Sequence, residues 1–273
     1  MRIAEALRLA RHAGVARLDA QLLLSHLLAR PRAWLLAHDD QTLEAGQALA
    51  LPGLLARRAA GEPLAYIVGA VDFRGLRLDV SPAVLVPRPE TELLVEWALE
   101  CLTAAPAQTL IDLGTGSGAI AMAVKHARPQ AAVCASDASL QALALARTNA
   151  VRLGLDVEFL AGDWWTPVAG RRFGVALSNP PYVAVGDSHL AALRHEPQQA
   201  LTSGEDGMDA LRRIVGGAPA QLWPGAWLLL EHGHDQAAAV QALLVAAGFG
   251  APQTRHDLAG LPRCTGAAWP GAK

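Results

Sequence analysis

From Thr109 onward the chain repeats one unit: a short apolar run, a turn, then a longer amphipathic stretch leading to the next apolar run. The runs fall at 109–113, 131–136, 157–160, 173–178 and 226–231, and the intervening helical patterns include 118–127, 140–153 and 208–222. Strands alternating with helices leave few architectures open. The expected fold class is α/β, a parallel sheet covered by helices on both faces.

The residues upstream follow a different rule. Up to about Ala60, apolar residues recur at helical spacing, as in Leu18, Leu22, Leu23 and Leu27, then Leu51, Leu54 and Leu55. Gly14, Pro31, Asp39-Asp40 and Gly61 divide this stretch into four or five short helices. Then Leu76, Leu78 and Val80 alternate with Arg77 and Asp79, a strand pattern; a second strand is expected at 64–71, with Arg74-Gly75 as the turn. The organisation expected is a helical bundle over 1–62, a β-hairpin linker over 63–82, and the α/β domain over 83–273.

Composition narrows the classes of function. With 52% hydrophobic and 18% charged residues, a chain of 273 residues can bury one large core and a smaller one. A net charge of -2 gives no broad positive surface for a polyanion, so nucleic acid is not the default partner. Cys101, Cys134 and Cys264 lack metal-ligand spacing, and no metal is expected; they read as buried thiols of a reducing compartment. Arg2, Glu5, Arg8 and Arg11 interrupt any signal-peptide core. The uncharged stretch 236–253 contains glutamines, two glycines and a proline, and reads as a buried helix ending near Gly248 rather than a membrane span. A cytoplasmic monomer is expected. Trp34, Trp97, Trp223, Trp227 and Trp269 lie in apolar contexts and read as packing residues, and His189 and His195 as surface or lid residues.

Four signals carry chemistry. Leu110-Ile111-Asp112-Leu113 runs into Gly114-Thr115-Gly116-Ser117-Gly118, a strand entering a glycine-rich turn where the backbone can approach a ligand closely. Glycines at every second position do not fit the G-x-G-x-x-G dinucleotide spacing. Asp137 closes the next strand, where a carboxylate can hold the ribose hydroxyls of an adenosine-type cofactor; the competing role is to cap the next helix, which Ser139 could also do. Asp163 and Trp164 follow the third strand, positioned to meet the adenine amino group and to cover its ring. The most specific signal is Asn179-Pro180-Pro181-Tyr182 at the end of the fourth strand, where an open sheet places its ligand crevice.

An amide or aromatic amino nitrogen is a poor nucleophile because its lone pair is delocalised. The Asn179 side-chain oxygen and the Pro180 carbonyl can accept its two N–H groups and aim the lone pair at a sulfonium methyl, while Tyr182 stacks on the planar group. Such a transfer needs no strong general base, so Glu196, Glu231, His232 and His234 receive no catalytic role.

With Gly61-Glu62-Pro63-Leu64, Leu85-Val86-Pro87-Arg88-Pro89-Glu90-Thr91-Glu92, Glu196-Pro197, Gly204-Glu205-Asp206-Gly207 and Glu231-His232-Gly233 added, the chain resembles the PrmC/HemK family over nearly its whole length. That family methylates the glutamine amide in the Gly-Gly-Gln motif of peptide chain release factors. The resemblance implies a five-helix domain that docks the release factor, a hairpin linker and a seven-stranded class I methyltransferase domain. It implies S-adenosyl-L-methionine as cofactor, held by Asp112, the loop from Gly114 to Gly118, Asp137, Asp163, Trp164 and Asn179. Asn179, Pro180, Pro181 and Tyr182 would hold the glutamine, with Arg88 and Glu90 shaping access. Pro262 and Tyr66 depart from the residues common in relatives, at the last hairpin and the linker.

Two other functions compete. Enzymes that methylate the amino group of adenine or guanine face the same delocalised nitrogen, but need a phosphate-gripping positive surface. A non-catalytic module that has kept the fold would have no reason to keep Asn179 and the glycine loop intact.

Overall fold

The structure, a computed structural model, describes residues 1–271. It forms two compact units, residues 1–70 and a larger one starting at Val71.

The first unit packs five helices, α1 (Ile3–His12), α2 (Arg17–Leu28), α3 (Arg32–Ala37), α4 (Ala45–Ala59) and α5 (Leu64–Val68). Ile3, Leu23, Leu24, Leu35, Leu51, Leu55 and Ile67 form its core. The Glu5 carboxylate accepts the Arg2 N–H at 2.9 Å, which satisfies a donor at the start of α1 and lowers the Glu5 pKa. Residues 64–68 are helical, not the strand expected over 64–71. Leu-Ala-Tyr-Ile-Val carries no period that separates helix from strand. Pro63 starts the turn, Gly69 ends it in the left-handed conformation (φ 77°), and burial of Ile67 against the other helices decides the outcome.

The hairpin β1 (Ala70–Phe73) and β2 (Leu76–Asp79) starts at the last residue of the first unit and opens the second. Its turn residues, Arg74 and Gly75, both have positive φ (47° and 76°), as a two-residue hairpin turn of primed type requires. The elements that follow are α6 (Glu92–Ala104), β3 (Thr109–Leu113), α7 (Ala119–Ala127), β4 (Ala132–Asp137), α8 (Leu140–Leu153), β5 (Glu158–Ala161) and β6 (Phe173–Ser178). The chain closes with α9 (Asp209–Gln221), β7 (Leu222–Glu231), α10 (Ala237–Ala246), β8 (Gln253–His256) and β9 (Pro262–Ala268). The seven strands run in the order β5-β4-β3-β6-β7-β9-β8. The five read from the sequence are parallel; β9 inserts antiparallel between β7 and β8, so the sheet is mixed at that end.

Each face of the sheet carries its own core. Leu110, Val133, Val175 and Leu229 meet α6 and α7 through Leu94, Trp97 and Met122. Ile111, Leu113, Ala176 and Leu228 meet α9 and α10 through Leu211, Ile214 and Val240. Burial on both faces explains the continuous apolar runs. Helix α10 is not buried throughout as expected: only Val240 and Leu244 are, because it covers the sheet along one stripe. Trp223 also departs from the packing role; it is exposed, under the Arg172 guanidinium. No helix among the described residues is long and apolar enough to cross a membrane.

Candidate active site

A cleft of about 200 Å³ opens at the carboxyl ends of the parallel strands, where strand order reverses between β4-β3 and β3-β6 and loops diverge to leave a crevice. Its walls include Gly114, Thr115, Gly116, Ser117, Asp137, Asp163, Trp164, Asn179 and Pro181. Residues spread over nearly seventy positions of sequence thus converge on one cavity.

The floor is the turn between β3 and α7. Gly114 and Thr115 donate their N–H groups to the Ser136 carbonyl at 2.8 and 3.0 Å, which ties the turn to the end of β4. A Cβ on Gly114 would lie 3.1 Å from the Trp164 ring, and one on Gly118 would lie 2.7 Å from the Met122 methyl. Both residues also have positive φ, so glycine is needed for conformation and for space.

Asp112 stands behind the turn rather than in the cleft wall. It is buried and accepts the Thr115 hydroxyl at 2.6 Å and the Ala121 N–H at 3.3 Å, with Oδ1 unpartnered. Burial pushes its pKa up to about 7 against the lowering effect of those two bonds. Its position is that of a support for the loop.

Asp137 does reach the cleft. Its Oδ2 accepts the Gly116 N–H and its Oδ1 the Ser139 N–H, both at 2.8 Å, and burial raises its pKa against those bonds. Ser139 is the residue that caps α8, through its hydroxyl and the Ala142 N–H at 3.1 Å. The carboxylate is thereby held across the turn. On the far wall, Trp164 takes a positive φ of 48°, a conformation costly for a bulky side chain. The Ser136 hydroxyl donates to its carbonyl at 3.1 Å and helps hold it against Gly114. The Asp163 carboxylate pairs with Arg213 of α9.

Asn179 sits at the end of β6. Its Nδ2 donates to the Thr91 hydroxyl at 3.1 Å, while its Oδ1 is buried and has no partner. An unsatisfied buried amide oxygen is costly, about 1–3 kcal/mol, and calls for a donor. The backbone after it is pinned: the Tyr182 carbonyl accepts from Gln236 at 3.0 Å, and Val183 bonds with Leu201 and Ser203. Pro180 and Tyr182 lie outside the wall of this cleft. Tyr182 has Glu231, Arg263, Arg88 and Glu90 as charged neighbours, and burial raises its pKa.

Arg88 pairs with Glu196, which also accepts the Val86 N–H at 3.1 Å. The Glu196 side chain is 2% exposed, so this buried carboxylate joins the proline-rich segment to the Glu196-Pro197 segment, and Pro197, Gln199 and Ala200 add to the cleft wall. Glu90 is exposed. Sequence reasoning named Thr91, Glu196 and Glu231 within motifs but gave them no role; the structure sets Thr91 and Glu231 beside Asn179, and Glu196 against Arg88. The signal available for Glu231 was a carboxylate ending the apolar run Leu228-Leu229-Leu230 at the cleft end of a central strand.

Comparison with known proteins bears on what this cleft belongs to. Residues 3–69 match the PrmC N-terminal domain, and residues 90–206 match the methyltransferase small domain. The chain is 51% identical to the release factor glutamine methyltransferase of Bordetella pertussis, over 93% of this chain and 95% of that one. The chain belongs to the release factor glutamine methyltransferase family. Another member, from Burkholderia pseudomallei, is 48% identical over 98% of this chain and 97% of its own. Among solved structures, a methyltransferase from Pyrococcus furiosus aligns with a TM-score of 0.54 at 18% identity, covering 72% of this chain and 90% of that one. A SAM-dependent methyltransferase from Agrobacterium tumefaciens aligns at 0.52 with 17% identity, covering 74% and 70%. At such identities the structures speak for the fold alone: the larger unit of this family member has the class I methyltransferase architecture.

Proposed function

We propose that this protein transfers a methyl group from S-adenosyl-L-methionine to the side-chain amide nitrogen of the glutamine in the Gly-Gly-Gln motif of peptide chain release factors. The reading is carried by Asn179: the residue lines the cleft that also holds the glycine turn and Asp137, and its Oδ1 is buried without a partner. An acceptor without a donor is what a primary amide N–H would complete.

The residues present fit the cofactor. Gly116 has open space where a Cβ would stand and leaves its backbone approachable, Asp137 offers carboxylate oxygens to ribose hydroxyls, and Trp164, against Gly114, and Asp163 stand ready for the adenine. When bound, the cofactor supplies an electrophilic methyl on a sulfonium. Asn179 Oδ1 accepts one N–H of the glutamine amide and the Pro180 carbonyl accepts the other, which turns the nitrogen lone pair away from the amide plane. Tyr182, which lies outside the cleft wall, would have to turn towards it to cover the planar amide. The nitrogen so held would take the methyl that the cofactor supplies and release one proton to solvent.

Arg88 and Glu90, which stand near Tyr182, shape access for the glutamine. The helical unit docks the release factor, and the protein acts in the cytoplasm as a monomer. A net charge of -2 gives no support to a nucleic acid substrate.

The test is transfer of labelled methyl to an unmodified release factor, beside its Gly-Gly-Ala variant and bulk RNA and DNA. Label is expected on the release factor and absent from the variant; label on nucleic acid alone would replace the substrate assignment. Asn179→Ala is expected to lower turnover at least about tenfold, or about 1.4 kcal/mol, while leaving cofactor affinity close to the parent's.

A further inference from the structure

An amide side chain can present either its oxygen or its NH2 to a ligand, and only the oxygen suits a substrate N–H. What holds Asn179 the right way round is found behind it. In the β6–β7 register Ser178 is opposite Leu230, so the next residues, Asn179 and Glu231, come together where the strands end. Thr91, 3% exposed, reaches the same point from the turn before α6. Asn179 Nδ2 donates to the Thr91 hydroxyl oxygen at 3.1 Å. A hydroxyl has one hydrogen, which Thr91 can then offer to the Glu231 carboxyl, whose charged form it favours. The Asn179 side chain faces the same carboxyl. Glu231 is itself 2% exposed, and its Oε2 has no partner.

We propose that Thr91 and Glu231 are positioning residues: the ionised Glu231, able only to accept, orients the hydrogen-bond relay Asn179 to Thr91 to Glu231 and so leaves Asn179 Oδ1 facing the substrate. A proton on Glu231 lets the relay reverse. Glu231 then donates to Thr91, Thr91 donates to Asn179 Oδ1, and the amide turns its NH2 towards the substrate N–H groups, donor against donor. The inference rests on Asn179 being the acceptor for the substrate amide.

The surroundings make such a reversal accessible near neutral pH. Burial raises the Glu231 pKa to about 7; Thr91, Arg263 of β9 and Asn179 favour its charged form, and Glu90 opposes it. Tyr182 and Cys264, two further titratable neighbours, are held neutral because burial raises both of their pKa values, and burial lowers the pKa of His232, the next residue in the chain. Asp112, across β6, also titrates at about 7, so the source of any acid limb has to be assigned by substitution.

The experiment measures kcat, KM for the release factor and cofactor affinity for the parent, Glu231→Gln, Thr91→Val and Thr91→Ser, from about pH 5.5 to pH 9. The parent's kcat is expected to fall as pH drops through about 7. Glu231→Gln and Thr91→Val are each expected to lose at least about tenfold in kcat at alkaline pH, with KM and cofactor affinity within about twofold, and Glu231→Gln to lose the acid limb. Thr91→Ser, which keeps the hydroxyl, should behave as the parent. Parent-like kcat in Glu231→Gln, or an acid limb that survives in it, would overturn the proposal. Carboxyl-carbon NMR of Glu231 and the side-chain amide resonances of Asn179 give a readout without turnover. The amide signals should follow the Glu231 titration and shift in Thr91→Val; if they do neither, the relay is wrong even where the methyl-transfer assignment stands. A parent that labels no release factor while these signals behave as expected would put the fault in the substrate assignment.

Discussion

Glu231 and Asp112 show how a single buried group can oppose stability in favour of an arrangement. Neither would be chosen for packing, since a carboxylate away from water is costly unless it serves something. Raising the Glu231 pKa from 4.5 to about 7 means that the folded protein binds more protons than the unfolded chain between those values. Its contribution to stability is therefore fully present below about pH 4.5, is lost as pH rises to about 7, and is then flat; at neutral pH the penalty is on the order of 3 kcal/mol. Glu231→Gln, neutral at every pH, is expected to melt above the parent at pH 8, with the gap closing towards pH 5. Melting curves across that range check it, and a gap that does not change with pH would mean that Glu231 titrates as it does in the unfolded chain. The sequence offered the position of Glu231 but not its shift, because its burial depends on β9 pairing alongside β7.

Strand and helix patterning was most legible where the period was strong. The five apolar runs lie on β3 to β7, two of them with the bounds expected; β3, β4 and β6 are largely buried and leave a continuous apolar signature, while β5, at the sheet edge, is only partly covered. Residues 64–68 carried no such period, and the neighbouring helices settled their conformation. A related dependence on packing holds at α9. Trp165 belongs to the core that this helix covers, donates from its indole nitrogen to the Ile214 carbonyl at 2.8 Å, and fits against Gly217, where a Cβ would come within 2.3 Å of the ring. Gly217 looks like a weak point in a helix when read from propensity alone. Gly217→Ala is nevertheless expected to destabilise the protein by about 1–3 kcal/mol through overpacking, despite the gain in helix propensity. Denaturant unfolding measures the difference; a stabilised variant would show that the indole has room to move.

The chain folds as two units with separate cores. The cleft belongs to the larger one. For the helical unit, the docking role proposed above predicts a separation of effects. Leu18 and Leu49 are 50% and 84% exposed, so replacing both with Asp should cost little stability. The double variant is expected to lose about tenfold or more in kcat/KM for the release factor with cofactor affinity unchanged, the pattern of lost substrate binding. Steady-state methylation with calorimetry of cofactor binding decides it, and an unchanged kcat/KM would move the docking surface away from these residues.

Local pattern was enough to establish the α/β class, the positions of the parallel strands, the glycine turn and the Asn179-Pro180-Pro181-Tyr182 loop, because each rests on residue type at short spacing. Folding alone could establish which groups meet. Thr91, Asn179 and Glu231 are drawn from three separate parts of the chain, and Asp112 and Asp137, both legible as loop-end carboxylates, end up respectively behind and within the cleft wall. Hydrogen-bond direction and pKa depend on neighbours and burial, and those are properties of the packed sheet.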